Sequence, residues 1–250
     1  NIIIIAEYGA KHGVQTLGMP VGGAEVGKNA RYVRMSTDFG KTFKTIFDLN
    51  SVTTGVGVHL HGVCFDQYWN RIWVSHGDGY LGTNGLYYSD DFGETWTSAL
   101  ETQTVGINFS QTVQIIALPT CILFASDSAP NGIHRIDRAQ GKSPTKGWYD
   151  IDYAYTIPES SASGISHLCQ ASYRAEWLPD MPYIFAFGAE VQAAKSIAVY
   201  TFDGWSFGVL WHDTVTSPAG LGLRSICGVT PKNEIILTSY DPNRADIPSY

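Results

Sequence analysis

Short apolar runs recur along the chain, and residues that favour turns separate them. In the clearest example two runs, 59–66 and 71–76, flank the turn Gln67-Tyr68-Trp69-Asn70. Runs of this length, rich in aromatic and β-branched residues and bounded by Asn, Asp or Gly, are typical of β-strands. The pattern therefore predicts an all-β chain, and no segment has the pattern of a helix.

One kind of apolar run returns along the chain, at 2–7, 72–76, 122–126, 184–187 and 235–239. A propeller blade consists of four antiparallel strands, and we interpret each of these runs as the second strand of one blade. The sequence therefore predicts a single β-propeller domain, 1–250, with five blades. The approximate blade limits are 1–50, 56–101, 104–157, 164–215 and 221–250, the last being incomplete.

The strand pattern does not close at the two ends. The first blade lacks a first strand, and the fifth stops after its second strand near Asp241. A repeat array needs its terminal units closed to be stable. We therefore expect the chain to be a fragment of a larger protein whose ring is completed outside it. The alternative is a four-bladed ring in which the N-terminal strands pair with the C-terminal ones.

A polar motif occurs twice, at 36–43 and 89–96, and both copies read Ser-x-Asp-x-Gly-x-Thr-aromatic. The Asp carboxylate can accept hydrogen bonds from N–H groups of its own turn, Gly permits a positive φ, and the aromatic ring enters the core as the next strand begins. The motif predicts a hairpin between the third and fourth strands of a blade. Its structural residues are Ser36, Asp38, Gly40, Thr42, Phe43, Ser89, Asp91, Gly93, Thr95 and Trp96.

This motif resembles the Asp-box of sialidase-like β-propellers. Weaker copies stand at the corresponding turns of the third and fourth blades, as Asp137 before Gly141 and as Phe202-Asp203-Gly204-Trp205. Asp-boxes lie on the outer rim and stabilise hairpins. The resemblance therefore implies an architecture and no activity.

Composition narrows the possible partners. The net charge is -7, charged residues make up 16% of the chain, and no basic run occurs, so nucleic acid is not expected. The longest apolar stretch, 113–125, is interrupted by Pro119-Thr120 and predicts a hairpin, so no membrane insertion is expected. The four cysteines lack metal-site spacing and predict buried free thiols, which fits folding in a reducing cytoplasm.

Polar residues at the ends of second strands and at the starts of first strands are the candidates for ligand binding. In a propeller the loops after the second and fourth strands share one face, where ligands usually bind over the central channel. We expect the following residues to converge at this channel mouth: Glu7, His59, His61, His76, Asp78, Asp127, Glu190, Arg224, Tyr240 and Asp241.

Three of these candidates have more specific alternatives. His59 and His61 point to the same side of a strand, because side chains alternate with a period of two. With Glu7 or Asp78 they could hold a divalent metal ion; otherwise they are polar residues that line a wet channel. Arg224 could clamp an anion with two hydrogen bonds, or it could form a structural bridge with an acidic neighbour.

Glycoside hydrolysis needs two carboxyl groups at a defined separation, one of them with a raised pKa. The channel-mouth acids carry no recognisable signature, so we assign no catalytic residue. Resemblance to true sialidases would require three arginines for the substrate carboxylate and an Arg-Ile-Pro motif. The chain has eight arginines, no such motif, and only Arg224 at a channel position.

The aromatic residues fall into three classes. Trp73 and Trp96 alternate into the blade interior and are predicted to be core. Tyr68-Trp69 and Trp177 lie in turns on the opposite face, where they either dock on another subunit or pack beneath a neighbouring turn. Three further rings are candidates for stacking on a sugar: Trp148, Tyr149 and Trp205.

The run from His59 to Val74, followed by Gly77-Asp78-Gly79 and an Asp-box, is similar to the propeller of phage tail-fibre and baseplate receptor-binding proteins, notably those of staphylococcal siphophages. The opening Ala6-Glu7-Tyr8-Gly9 fits the same family. The similarity is dense over 1–100 and rests on blade spacing beyond. It implies a homotrimer with a five-bladed platform, located on the virion tail and extracellular after assembly in the host cytoplasm.

The function implied by this resemblance is host adsorption through a cell-wall glycopolymer such as teichoic acid, without hydrolysis. A chain of charge -7 gains no long-range attraction to a polyanion, so recognition would be local and directed at sugars. The alternative is a sialidase-like glycosidase or lyase. A third hypothesis is a structural platform whose Trp69 and Trp177 contact sister subunits. No cofactor is expected beyond the divalent ion.

Overall fold

A computed structural model describes residues 2–7, 31–52, 59–77, 85–100, 112–126, 132–146, 149–156, 168–172, 182–188, 197–212, 222–227 and 236–240. Within these ranges the regular structure is β-strand, apart from a short 3₁₀ turn at Leu49–Ser51. The predicted all-β class is therefore confirmed. This part of the chain contains no helix long and apolar enough to cross a membrane.

The strands of the described ranges follow one another as consecutive hairpins. In chain order they are β1 (Ile3–Ala6), β2 (Tyr32–Ser36), β3 (Lys44–Asp48), β4 (His59–Asp66), β5 (Arg71–Gly77), β6 (Gly85–Ser89), β7 (Thr97–Ser98), β8 (Thr112–Ala117), β9 (Cys121–Ser126), β10 (Gly132–Asp137), β11 (Asp152–Thr156), β12 (Leu168–Ser172), β13 (Tyr183–Gly188), β14 (Ile197–Thr201), β15 (Gly208–His212), β16 (Gly222–Cys227) and β17 (Ile236–Tyr240).

Each described sheet is a meander of strands that are neighbours in sequence: β1-β2-β3, β4-β5-β6-β7, β8-β9-β10-β11, β12-β13-β14-β15 and β16-β17. The predicted second strands all form, as β1, β5, β9, β13 and β17. The hairpin predicted at 113–125 forms as β8 and β9. Meanders of four strands are the building unit of a propeller, but the number of blades stays a prediction.

The fourth strand of the second sheet is shorter than predicted. The sequence predicts it from Thr95 to Leu100, whereas β7 covers only Thr97–Ser98. Thr95 is not available to a strand because both its N–H and its hydroxyl donate to the carboxylate of Asp91, at 2.9 and 2.6 Å. The turn therefore extends further than its sequence pattern indicates.

The chain divides into two compact units, Asn1–Ile122 with Ile136–Ile151 and Leu123–Arg135 with Asp152–Tyr250. In the first unit a core forms from alternate residues of the first two sheets. It comprises Val33, Met35, Ile46, Phe47, Leu49, Leu60, Ile72 and Val74. Trp73 is fully buried, as predicted. Cys121 is a buried free thiol and Cys64 a partly buried one; the side chains of Cys169 and Cys227 lie outside the described part.

Equivalent positions of the first two sheets differ in exposure. Ile3 pairs with the first residue of one Asp-box, Ser36, as Ile72 pairs with Ser89 of the other. Ile3 is nevertheless 39% exposed, whereas Ile72 is 1% exposed. Ile72 belongs to the core cluster that the first two sheets share, and Ile3 does not.

This difference explains one wrong prediction. The Asp-box aromatic was expected to enter the core in both copies. Trp96 does so, because its ring lies 4.9 Å from that of Phe47 and its Nε1 donates to the carbonyl of Ile46 at 2.7 Å. Phe43 is 40% exposed and, like the exposed Ile3, lies next to Gly40.

A buried ion pair ties two turns of the first unit together. The carboxylate of Asp66 is fully buried and accepts two hydrogen bonds from the Arg138 guanidinium, at 2.7 and 2.8 Å. It also accepts from the backbone N–H of Tyr68 at 3.0 Å and from the indole of Trp73 at 3.2 Å. A buried charge of this kind is tolerated only because every acceptor site is used.

We predict that Asp66→Asn lowers the free energy of unfolding by about 3 to 5 kcal/mol, because it leaves the nearly buried Arg138 guanidinium without its counter-charge. Urea denaturation monitored by tryptophan fluorescence measures the change. Asp150→Asn is the matched control: it removes a surface pair with Lys146 and should cost less than about 1 kcal/mol. Equal losses in the two variants would contradict the role of Asp66.

Candidate functional site

Both Asp-boxes have the predicted internal hydrogen bonding. In the first, Asp38 Oδ1 accepts from the N–H of Thr42 at 2.9 Å and from the hydroxyl of Ser36 at 2.8 Å, and the Gly40 N–H donates to Ser36 Oγ at 2.8 Å. In the second, Asp91 Oδ1 accepts from Thr95 and Ser89 at 2.9 and 2.7 Å. These donors hold the pKa of each carboxyl at about 2.

Each Asp-box turn has one more residue with positive φ than the motif predicts. Gly40 and Gly93 have positive φ, of 81° and 93°, as expected. The residues before them, Phe39 and Phe92, also have positive φ, of 62° and 57°. A left-handed phenylalanine is uncommon and strained. The bonded Asp carboxylate therefore fixes two successive residues with positive φ. The residue before the glycine varies in the motif, so the motif does not predict its positive φ.

The weaker copies keep part of the same bonding. Asp203 Oδ1 accepts from the N–H groups of Trp205 and Ser206, at 2.8 and 2.9 Å, and these bonds lower its pKa. Asp137 Oδ1 accepts from the Ala139 N–H at 2.8 Å. Four turns between third and fourth strands are thus built around an Asp carboxylate.

Glu7 contributes to the first hairpin. Its Oε1 accepts from Arg34 Nε at 2.6 Å, and its Oε2 accepts from the backbone N–H groups of Arg31 and Tyr32, both at 3.2 Å. No local pattern indicates these partners, because they lie more than twenty residues away along the chain. A ligand would reach the carboxylate in competition with all three donors. The ligand-binding role of Glu7 stays a prediction.

His59 and His61 lie together, with ring centroids 4.7 Å apart. The ring of His61 lies against Gly77, where any side chain would collide with it, and its Nδ1 is 3.1 Å from the carbonyl of Thr112. Among the described residues no third His, Cys, Asp or Glu completes a group that could hold a metal ion. The metal hypothesis therefore depends on Asp78, which lies outside the described residues.

His76 takes the position in the second sheet that Glu7 takes in the first. It is 2% exposed and stacks on Tyr87, with centroids 5.5 Å apart. Gly85 makes room for it, since a Cβ there would lie 2.7 Å from His76 Nε2. In this conformation His76 is part of the packed sheet face, and its ligand role stays a prediction.

For the other channel-mouth candidates the structure describes the backbone alone or does not describe the residue. Arg224 lies on β16 and Tyr240 ends β17, but only their backbones are described. Outside the described residues lie Asp78, Asp127, Glu190 and Asp241, together with Trp148 and Trp177. Three of these acids come directly after described strands in sequence: Asp78 after β5, Asp127 after β9 and Asp241 after β17.

Every acidic side chain in the described ranges has a donor within the fold. Some of these carboxylates accept hydrogen bonds from backbone N–H groups, hydroxyls or an indole, and others pair with a lysine or an arginine. They are Glu7, Asp38, Asp48, Asp66, Asp90, Asp91, Glu94, Asp137, Asp150, Asp152 and Asp203. The pKa is lowered at Asp38, Asp91 and Asp203, opposite to what a general acid requires.

An aromatic cluster surrounds Arg71, and the sequence did not reveal it. The guanidinium lies 3.8 Å from the Tyr88 ring and 4.6 Å from the Trp69 ring, and it donates to the hydroxyl of Tyr149 at 2.6 Å. Its charge is balanced by Asp90, through bonds of 2.6 and 2.9 Å.

The contacts of this cluster test two predictions, the one for Tyr149 and the one for Trp69. Tyr149 is 6% exposed, so the prediction that it stacks on a sugar is wrong: its ring is packed and its hydroxyl is bonded. Trp69 stacks on Tyr149 with centroids 5.6 Å apart, which supports packing over subunit docking for this ring. Tyr68 remains exposed at 40%.

No family model and no curated protein sequence matches the chain. Solved structures do match, at low identity. One is the intramolecular trans-sialidase of Ruminococcus gnavus, with 15% identity, a TM-score of 0.46, and 96% of this chain against 55% of that one. Another is the leech intramolecular trans-sialidase, with 17% identity, a TM-score of 0.49, and 96% of this chain against 39% of that one.

A third match is a family 117 glycoside hydrolase of Zobellia galactanivorans, with 12% identity, a TM-score of 0.39, and 76% of this chain against 57% of that one. The chain is therefore distantly similar in structure to these three proteins, at identities of 17% or less. It spans only about half the length of these proteins, 55% and 39% for the two trans-sialidases.

We predict that Glu7→Gln lowers the free energy of unfolding by about 1 to 3 kcal/mol, because a neutral amide cannot serve Arg34 and two backbone N–H groups equally well. Chemical denaturation measures this, with Glu94→Gln, which removes only the surface pair with Lys44, as the matched control. Unchanged stability together with lost ligand binding would contradict the structural role of Glu7.

Proposed function

We propose that this chain is a carbohydrate-binding domain of a phage tail receptor-binding protein, and that it binds a host cell-surface glycopolymer without hydrolysing it. One observation carries the choice of binding over hydrolysis. Every described carboxylate has a donor within the fold, and the pKa is lowered at Asp38, Asp91 and Asp203, opposite to what the general acid of a glycosidase needs.

The phage context is supported by the sequence resemblance of 59–79 and of the Asp-box to propellers of staphylococcal siphophage tails. The bonding of the Asp-boxes and the order of the hairpins agree with that resemblance. With a net charge of -7, the protein recognises the sugars of a teichoic acid, and its phosphates contribute little long-range attraction. Arg224 and the His59–His61 pair are the contacts proposed at the channel mouth.

Hydrolysis is the second candidate, and one observation favours it. Acidic residues stand directly after, or two residues after, each strand predicted to be the second of its blade, namely β1, β5, β9, β13 and β17. They are Glu7, Asp78, Asp127, Glu190 and Asp241. Repetition at equivalent positions is what a set of converging carboxylates would produce. Glu7 is used by its hairpin, so a glycosidase would need two of the other four at the separation that hydrolysis requires.

We predict that the purified protein binds isolated staphylococcal cell walls and purified wall teichoic acid in a sedimentation assay. His61→Ala and Arg224→Ala should each weaken binding by about tenfold, since removing one hydrogen-bonded contact typically costs about 1.4 kcal/mol. Binding should fall little as salt is raised, because sugar contacts dominate.

Lys41→Ala, on the exposed first Asp-box turn, is the matched control and should bind as the unmodified protein does. Binding that survives both channel-mouth variants would contradict the proposed location. Cell walls that do not retain the unmodified protein would contradict the proposed function. Release of reducing sugar that is lost in Asp78→Asn would establish the second candidate instead.

A further inference from the structure

An exposed indole stands on the turn between β14 and β15. Trp205 is 50% exposed, although its turn is well bonded: its own N–H donates to Asp203 at 2.8 Å, and the Gly204 N–H donates to Thr201 Oγ1 at 2.9 Å. Tryptophan is highly buried on average, and it is enriched where a protein surface makes contact with a partner. A ring held on a fixed backbone loses little entropy when a ligand stacks on it.

The inner face of this indole rests on a buried cation. The Arg135 guanidinium carbon lies 3.4 Å from the centroid of the Trp205 ring, and the Arg135 side chain is 9% exposed. Its hydrogen bonds are long, 3.4 Å to the Gly204 carbonyl and 3.5 Å to Asp152, and its Nε is buried without a hydrogen-bond partner. Stacking therefore holds the pair together more than hydrogen bonds do, and it leaves only the outer face of the indole open.

A hydrogen-bonding group contacts the guanidinium on which the ring rests. Asp152 touches the same guanidinium, and its side chain is 46% exposed. A single bond of 3.5 Å leaves most of its acceptor capacity unused, so it can accept from two hydroxyl groups. Phe202, in the same turn, is 54% exposed and contacts only Tyr200 among the described rings, at 6.0 Å.

We propose that Trp205, Arg135 and Asp152 form a second sugar-binding site, away from the channel mouth, for a neutral pyranose. The apolar face of the sugar stacks on the outer face of Trp205, and vicinal hydroxyls donate to Asp152. The indole covers the guanidinium and Asp152 carries a negative charge, so an anionic sugar is disfavoured. The proposal shares only its ligand class with the proposed function, and it concerns a separate surface.

The test is an NMR titration of the full chain labelled with ¹⁵N at tryptophan. The probes are methyl β-glucopyranoside, the methyl glycoside of N-acetylglucosamine, and methyl glucuronide. We expect the Trp205 indole resonance, assigned with Trp205→Phe, to shift with the two neutral probes at millimolar affinity and to shift less with the glucuronide. Because these two variants lack that resonance, their affinity is read from saturation transfer to the probe: Trp205→Ala should weaken binding by about tenfold or more, and Trp205→Phe should retain part of it.

Asp152→Asn should weaken binding several-fold while the resonance still shifts, and Phe202→Ala and Lys41→Ala should leave the affinity unchanged. The proposal is overturned by tighter binding of the glucuronide, by no movement of the Trp205 resonance with any probe, or by Phe202→Ala acting as strongly as Trp205→Ala. The last result would indicate a general apolar surface. Because the probes are monosaccharides, failure of the cell-wall assay does not decide this result.

Discussion

The bonded carboxylate of the Asp-box is the constraint on which the described structure depends. In each of the two full copies one Asp accepts from the backbone and hydroxyl of the Thr four residues later, and so closes the hairpin on itself. This closure fixes two left-handed residues in succession and sets the strand register on either side. It also orients the box aromatic, so that Trp96 reaches the preceding sheet and joins its core.

Two other acidic side chains of the described ranges are also held by hydrogen bonds within the fold. Asp66 joins two turns through Arg138, and Glu7 closes the first hairpin through Arg34 and two backbone N–H groups. A buried ion pair stabilises a fold only while both partners are present. Removing one partner leaves an unpaired buried charge, which costs more free energy than the pair contributes. Asp66 and Glu7 therefore belong to architecture, and ligand chemistry is left to exposed rings, to the half-exposed Asp152 and to acids outside the described ranges.

Local features of this fold could be predicted from the sequence, and features that depend on a neighbouring sheet could not. The second strands, the 113–125 hairpin and the Asp-box bonds involve residues close in sequence, so their patterns carry the information. The exposure of Phe43, the burial of Tyr149 and the partners of Glu7 depend on which sheet packs alongside. The contact of Trp205 with Arg135 joins residues seventy positions apart, and neither residue carries a local signal of the other.

The Asp-box carboxylates are permanent acceptors of their turns, and ¹³C NMR titration of the aspartate carboxyl carbons tests this role. A carboxyl whose pKa is lowered in the folded state stabilises the fold above its ordinary pKa and loses that contribution as the pH falls. We expect Asp38 and Asp91 to titrate at about 2, and the amide protons of Thr42 and Thr95 to shift with the same midpoints. Midpoints at or above the ordinary value of 3.8 would contradict it.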